Sequence, residues 1–415
     1  MAEDAGHDAR VAITGIGLVT PAGIGVAANW ERLLSGRPTA QRDPALAGLP
    51  VDISCRVPGF DANALLGRST AWRLDRVSQL ALVAAKEALS DAGLDPDRWD
   101  GARVGVVMGN ALGGTASYED AHTAYHQEGA DQVSPLVMVN WPVNMISGYL
   151  AMHCRALGPN LVVATACASG VTAIGTARQM LQSGLCDIVL AGASEAPLSP
   201  TPMAAYHRMG ALSRRTEDPA GASRPFDADR GGFVAAEAAA VLVLERERDA
   251  TARGGAVRAL VAGYGASADG HHASAPDPAG AGVERALRAA LTDADVAPEA
   301  VDHVNAHGTS TKLNDLMESR LINRVLVGRP SVTSTKGVTG HALGAAGAIE
   351  VAYTALTVEH GLVPPTANLD KLDPEIDIDV VSGAPREQRV ETATSHSFGF
   401  GGQNAVLVLQ KAGTR

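Results

Sequence analysis

The sequence predicts an α/β fold with largely parallel or mixed sheets, and three observations carry that prediction. Four continuous apolar runs, RVGVVMG (103–109), LVVAT (161–165), CDIVLAGA (186–193) and AAAVLVLE (238–245), have the unbroken hydrophobicity of strands covered on both faces. Stretches with helical spacing alternate with these runs, the pattern of βαβ units. The second half of the chain also repeats the first weakly.

Taken in order, RVAITGIGLVTPAG, starting at Arg10, predicts a buried strand that ends in a Gly/Pro turn. Over 74–92, Leu74, Val77, Leu80, Ala81, Ala84, Ala85, Ala88 and Leu89 recur at helical spacing, and Gly93 is a natural stop. The repeat then shows in three places. VRALVAGYG (257–265) matches the first strand, and both end in Gly-x-Gly. AIGTA (173–177) and AIEVA (348–352) each lie in a helix after a strand, and AAVLVLE (239–245) resembles NAVLVLQ (404–410). Chance likeness of Ala/Val-rich segments is the alternative. The repeat predicts two similar halves, 1–255 and 256–415, with a site where they meet. The first nine residues and the closing AGTR read as loose tails.

Composition removes several function classes. A chain of 415 residues with 46% hydrophobic and 19% charged residues is long and apolar enough for a core, and is not a disordered chain. A formal net charge of −11 argues against a nucleic-acid partner, whose affinity comes mostly from neutralised phosphates. No apolar run reaches the ~20 residues of a membrane span, and MAEDAGHDAR has no apolar core of a secretory signal. Four cysteines, none in a CxxC pair, offer neither a disulfide framework nor a structural zinc site. The expectation is a cytoplasmic protein.

Cys167 stands in LVVATACASG, where a strand runs into small residues and a helix begins directly after the thiol. Such a junction exposes the sulfur and offers it a helix N-terminus, which favours the thiolate. Small neighbours Ala166, Ala168, Ser169 and Gly170 let a substrate carbonyl approach. Cys55, Cys154 and Cys186 read as inert buried thiols.

His307 in VDHVNAHGTST, and Lys336 and His341 in STKGVTGHALGAAG, sit among Gly and hydroxyl residues at element ends. Packing explains two such histidines poorly, and no Asp, Glu or Cys stands beside them at metal-ligand spacing. SFGFGGQN (397–404) reads either as a plain hairpin turn or as a mobile loop that gates a pocket or donates a backbone N–H.

Together these segments resemble the β-ketoacyl-acyl-carrier-protein synthases, the condensing enzymes of fatty acid and polyketide synthesis. The resemblance rests on TACASG, NAHGTST, STKGVTGHALGAAG, GFGG (399–402), RPFDADRGGFV (224–234) and the opening strand, and covers nearly the whole chain in order. It implies a thiolase fold, a five-layer α-β-α-β-α sandwich of two duplicated halves, and a dimer with residues 140–168 near the interface. It implies an acyl chain on Cys167, delivered by the phosphopantetheine of an acyl carrier protein, with no resident cofactor and no metal. His307 and His341 would serve decarboxylation of a malonyl thioester. Lys336 would supply fixed charge, with Glu318 as its acidic partner. Backbone N–H groups of Cys167 and Phe400 would form an oxyanion hole, and Phe398, Gly399 and Phe400 a gate. Thr309, Thr311 and Ser274 would hold the pantetheine arm, and Leu112 would set chain length.

Departures bear on the pathway. Lys312 follows Thr311 where fatty-acid members usually carry Pro, Ala238 follows Glu237 where Gly is usual, and Gln403 replaces a frequent Thr. These favour a type II polyketide or specialised fatty acid pathway over housekeeping elongation. Docking of an acidic carrier needs a basic patch; Arg68, Arg73 and Arg76 form one candidate, and Arg208, Arg214 and Arg215 another. Three other readings fit less well. A non-catalytic chain-length-factor subunit would lack the Cys and is a candidate dimer partner instead; a Cys-His-Asn enzyme would carry Asn where His341 stands; a scaffold leaves the three reactive side chains unexplained.

Overall fold

The computed structural model describes residues 10–413, so the tail expected over 1–9 and the last two residues of the C-terminal one lie outside the described residues. Ten strands form the frame. In the first half they are β1 (Val11–Thr20), β2 (Val104–Gly109), β3 (Asn160–Val163), β4 (Ile188–Glu195) and β5 (Ala238–Arg246). In the second half they are β6 (Ala259–Ala268), β7 (His303–Asn305), β8 (Ser331–Thr333), β9 (Thr392–Gly399) and β10 (Gln403–Gln410).

The strand order runs β3-β2-β4-β5-β1, continues through β6-β10-β9-β7-β8, and ends on the edge pair Asp379–Val380. Counted outward from the centre, each half has its first strand inside and its third outside, in the same permutation. Pairing directions repeat too: β2 is parallel to β3 and β4, and β7 to β8 and β9, while the inner pairs are antiparallel. The halves meet where Val11, Ala12 and Ile13 pair with Val261, Leu260 and Ala259. The sheet is therefore mixed, and the three sequence likenesses fall on matching elements: β1 with β6, β5 with β10, and the two inner helices.

Six helices complete the layers: α1 (Arg76–Ala92), α2 (Met145–His153), α3 (Ser169–Gln182), α4 (Ala281–Asp293), α5 (Lys312–Val325) and α6 (Ala346–His360). α1 and α2 cover the outer face of the first half, α4 and α5 that of the second, and α3 and α6 pack together between them. The helix expected over 74–92 starts at Arg76 because the Asp75 side chain caps the Val77 N–H, and it stops at Gly93, which is left-handed at φ 64°.

The inner pair decides where the chemistry goes. A side chain on Gly170 would meet the Ala348 nitrogen at 2.3 Å, and one on Gly347 would meet the Val171 nitrogen at 3.0 Å. Only glycines permit that approach, which brings the N-termini of α3 and α6 side by side. One expectation fails here. The unbroken run LVVAT predicts a strand covered on both faces, but β3 is the edge strand and Leu161 is 44% exposed. An apolar run reports hydrophobicity, not what covers it.

Candidate active site

Cys167 lies in a 3-10 turn, Ala166–Ala168, between β3 and α3. Ala166 holds a left-handed φ of 48°, a strained conformation for a residue with a Cβ. Ser169 secures it: its hydroxyl accepts the Thr165 N–H and donates to the Ala166 carbonyl, at 2.9 and 2.6 Å. The backbone N–H of Phe400, at the tip of the β9–β10 hairpin, stands close enough to the Cys167 sulfur to favour its thiolate. The segment 397–404 is thus a hairpin turn whose tip lines the cavity.

The sulfur does not rest as a thiolate. Burial pushes the Cys167 thiol up to about 12, against the opposing pull of Lys336 and the Phe400 N–H. The expected thiolate gives way because desolvation outweighs the helix N-terminus. A base is at hand: His341 Nε2 lies 3.3 Å from Sγ. Burial, and then the charge of Lys336, hold the His341 ring well below the usual histidine range, so it is neutral and able to take a proton.

His341 is fixed by its backbone. Its N–H donates to Val234 O and its carbonyl accepts from Ala236, at 2.8 and 3.0 Å, so the 224–236 segment carries the loop that holds it. His307 follows β7, and its ring stands 5.4 Å from that of His341 at 84°. Burial first, then Lys336, His341 and His396, keep it neutral as well. Phe398 lies 5.5 Å from His307.

The expected Lys336–Glu318 pair is not formed. Lys336 is buried and its Nζ pairs with Glu350 on α6. Burial holds Glu350 up at about 7, despite that lysine. Glu318, on α5, accepts the backbone N–H groups of His307 and Gly308, each at 2.8 Å, and contacts His396 Nδ1 at 3.1 Å. The lysine reaches inward to α6, whereas Glu318 faces the turn that carries His307.

A cavity of about 480 Å³ has Cys167, His307 and His341 in its wall. Thr309, Thr311, Ser274, Phe398, Gly399 and Phe400 also line it. The Thr309 and Thr311 hydroxyls are 2.9 Å apart, on a turn tied to the 224–234 segment by Gly232 N–H to Ser310 O at 2.9 Å. Leu112 does not line the cavity. Glu195 accepts the N–H groups of both Ala111 and Leu112; Ala111 faces the cavity and Leu112 packs on the core. None of the candidate docking arginines lines the cavity, but Met209, Gly210 and Ala211, directly after the exposed Arg208, do. Arg68, Arg73 and Arg214 are exposed, and Arg215 lies 3.8 Å from Asp218. Arg76 is not free to dock, because it binds the buried Glu237 at 2.7 Å.

Residues 8–250 match the family described as "Beta-ketoacyl synthase, N-terminal domain", and residues 258–370 match its C-terminal domain. The chain belongs to the beta-ketoacyl synthase family. The first match contains Cys167, and the second His307, Lys336 and His341. The 3-oxoacyl-[acyl-carrier-protein] synthase 2 of Synechocystis sp. is 40% identical over 413 residues, spanning 97% of this chain and 98% of that protein. The ishigamide ketosynthase/chain length factor structure is 33% identical with a TM-score of 0.91, covering 98% of this chain and 100% of the other. A type II PKS acyl-carrier protein complexed with its ketosynthase bound to the hexaketide, AntDE:AntF, is 32% identical with a TM-score of 0.89, over 97% and 99% of the two chains. The fold of this ketosynthase is therefore the thiolase fold, and its class is that of acyl-transferring condensing enzymes.

Three residues of the ketosynthase site went unnoticed in the sequence: Glu195, Glu350 and His396. Glu350 had a signal, a lone carboxylate within the apolar AIEVAY of α6. The other two sit in strands whose neighbours only the fold supplies. Among the described residues no group of three or more His, Cys, Asp or Glu could hold a metal ion, and no helix is long and apolar enough to cross a membrane.

Proposed function

We propose that the chain condenses an acyl group, held as a thioester on Cys167, with a malonyl thioester that loses CO₂, both delivered by acyl carrier protein. One observation carries this reading: a thiol and two neutral imidazoles meet at the wall of a single cavity. Cys167 attacks the incoming thioester carbonyl as its proton passes to His341 Nε2; the carrier thiolate is then expelled, takes that proton from His341 and leaves as the free thiol. The N–H groups of Cys167 and Phe400 stabilise the oxyanion. The malonyl thioester then releases CO₂, and its bonding electrons become an enolate whose oxygen is met by N–H donors of His307 and His341. The enolate carbon attacks the Cys167 thioester carbonyl, the carbon–sulfur bond breaks, and the expelled Cys167 thiolate takes up one proton from solvent to regenerate the thiol. No resident cofactor takes part, since the phosphopantetheine arrives on the carrier.

Thr309, Thr311 and Ser274 suit the pantetheine arm by their place along the cavity. Arg208, beside the Met209–Ala211 rim, is the best-placed docking cation. A dimer face is supported by the edge strand β3 with exposed Leu161, and by exposed Met138, Trp141, Met152 and Leu157. The partner is a second copy or a chain-length-factor-like subunit, and a cytoplasmic enzyme fits the reduced cysteines.

Two pathways suit this chemistry. Lys312 at the cavity rim and the likeness to polyketide ketosynthases support a polyketide or specialised fatty acid pathway. The 40% identity to a 3-oxoacyl-[acyl-carrier-protein] synthase 2 supports housekeeping elongation. Mass spectrometry of the intact protein after incubation with an acyl carrier protein thioester tests the first half-reaction. An acyl adduct on Cys167, absent in Cys167→Ser, is expected; no adduct on the wild-type chain would remove the proposal.

A further inference from the structure

Thr394, His396 and Phe398 alternate along β9, so they form one row on the face of the sheet that looks toward α5. The row leads from the interior to the cavity. His396 is fully buried and both ring nitrogens are engaged: Nδ1 with Glu318 Oε1 and Nε2 with Thr394 Oγ1, each at 3.1 Å. A carboxylate only accepts, so the Nδ1–H donates to Glu318 and the Thr394 hydroxyl donates to Nε2. The His396 ring lies 5.7 Å from that of Phe398, which in turn flanks His307. Among the described residues Glu318 forms no ion pair with Lys or Arg; its side-chain partners are His396 Nδ1 at 3.1 Å and the Asn314 amide at 3.4 Å.

We propose that His396 is a positioning residue for His307, acting through the Glu318 carboxylate that clamps the backbone N–H groups of His307 and Gly308. Removing the Nδ1 donor frees Glu318 to rotate. The turn at 307–308 then loses the fixed acceptor that sets the height of the His307 ring over the cavity. The His341 backbone is held instead by Val234 and Ala236, and makes no hydrogen bond to Glu318 or His396. The two half-reactions should therefore respond differently, an expectation that rests on the decarboxylative reading above.

The test uses the full chain and two separate assays: acylation of Cys167 from an acyl carrier protein thioester, and CO₂ release from malonyl carrier protein. His396→Leu should slow CO₂ release by on the order of 10- to 100-fold, the range for a misplaced catalytic group, while Cys167 acylation stays near wild type. His396→Asn, which keeps an N–H donor near Nδ1, should restore most of the loss. Equal losses in both assays, or no loss, would overturn the assignment. If His396→Leu does not fold, Thr394→Val replaces it: releasing Nε2 should slow CO₂ release alone, and an unchanged rate counts against the proposal. A wild-type chain that neither acylates nor decarboxylates would instead remove the underlying reaction.

Discussion

His341 Nε2 stands 3.3 Å from the Cys167 sulfur, although the two residues are 174 positions apart in the chain. The distance fits a hydrogen bond to sulfur, and both groups are neutral at rest. The pair is thus a thiol with a waiting base.

His341→Ala removes that base. Because the buried thiol sits at about 12, little of it ionises unaided at neutral pH. Acylation of Cys167 should fall by about 10²- to 10⁴-fold, the usual worth of a positioned base. Stopped-flow thioester transfer at pH 7.5 measures it. A rate within a factor of three of wild type (about 0.6 kcal/mol) would show that the sulfur ionises without His341.

Lys336→Met leaves Glu350 buried without its cation. Stripping one partner from a buried pair costs about 3–5 kcal/mol. Urea unfolding should show that loss, and the double variant with Glu350→Gln should regain much of it. Additive losses in the cycle would mean the two residues are not coupled.

Gly399→Ala probes the oxyanion donor. Its added methyl carbon would lie 2.6 Å from Thr165 O and 3.1 Å from Cys167 N, so the strand must shift and carry the Phe400 N–H with it. Turnover should drop about 10²-fold, as when an oxyanion donor is lost. Comparable kcat values in the two proteins would dismiss Phe400 as a donor.

His303 makes stability depend on pH. Burial holds its imidazole at about 3 in the fold, against 6.5 free. Above pH 6.5 it is neutral in both states. As the pH falls toward 3, the unfolded chain gains a proton that the folded chain refuses, so stability drops. By pH 5 the loss is about 2 kcal/mol. Glu195 and Glu350, both held at about 7, act oppositely: their contribution is full below 4.5 and fades as the pH rises through 7. His303→Gln should therefore lose less stability than wild type between pH 7 and pH 5, by roughly that amount. Parallel unfolding curves at the two pH values would refute it.

Arg208→Glu tests the docking rim. It should raise KM for carrier-bound acyl substrate severalfold, more at low salt, and leave a small pantetheine thioester unaffected. Equal effects on both substrates would exclude a docking role.

The amino-acid sequence on its own determined the fold class and the likeness of the two halves, and marked the three residues that share the cavity, because those are local facts. Apolar periodicity marks β1, β5 and α1, and glycines mark the turns that carry Cys167, His307 and His341. The likeness of β5 to β10 fits two strands buried on both faces along their length. Tertiary structure alone decided the pairings. Lys336 took Glu350 and not Glu318 because α6 packs against its turn, while Glu318 fell to His307 and His396, 11 residues behind and 78 ahead. It likewise turned Ala111, not Leu112, toward the cavity, and raised the Cys167 thiol by closing protein around it. Hydrogen-bond partners and desolvation depend on which distant segments are brought together, and local spacing carries no record of that.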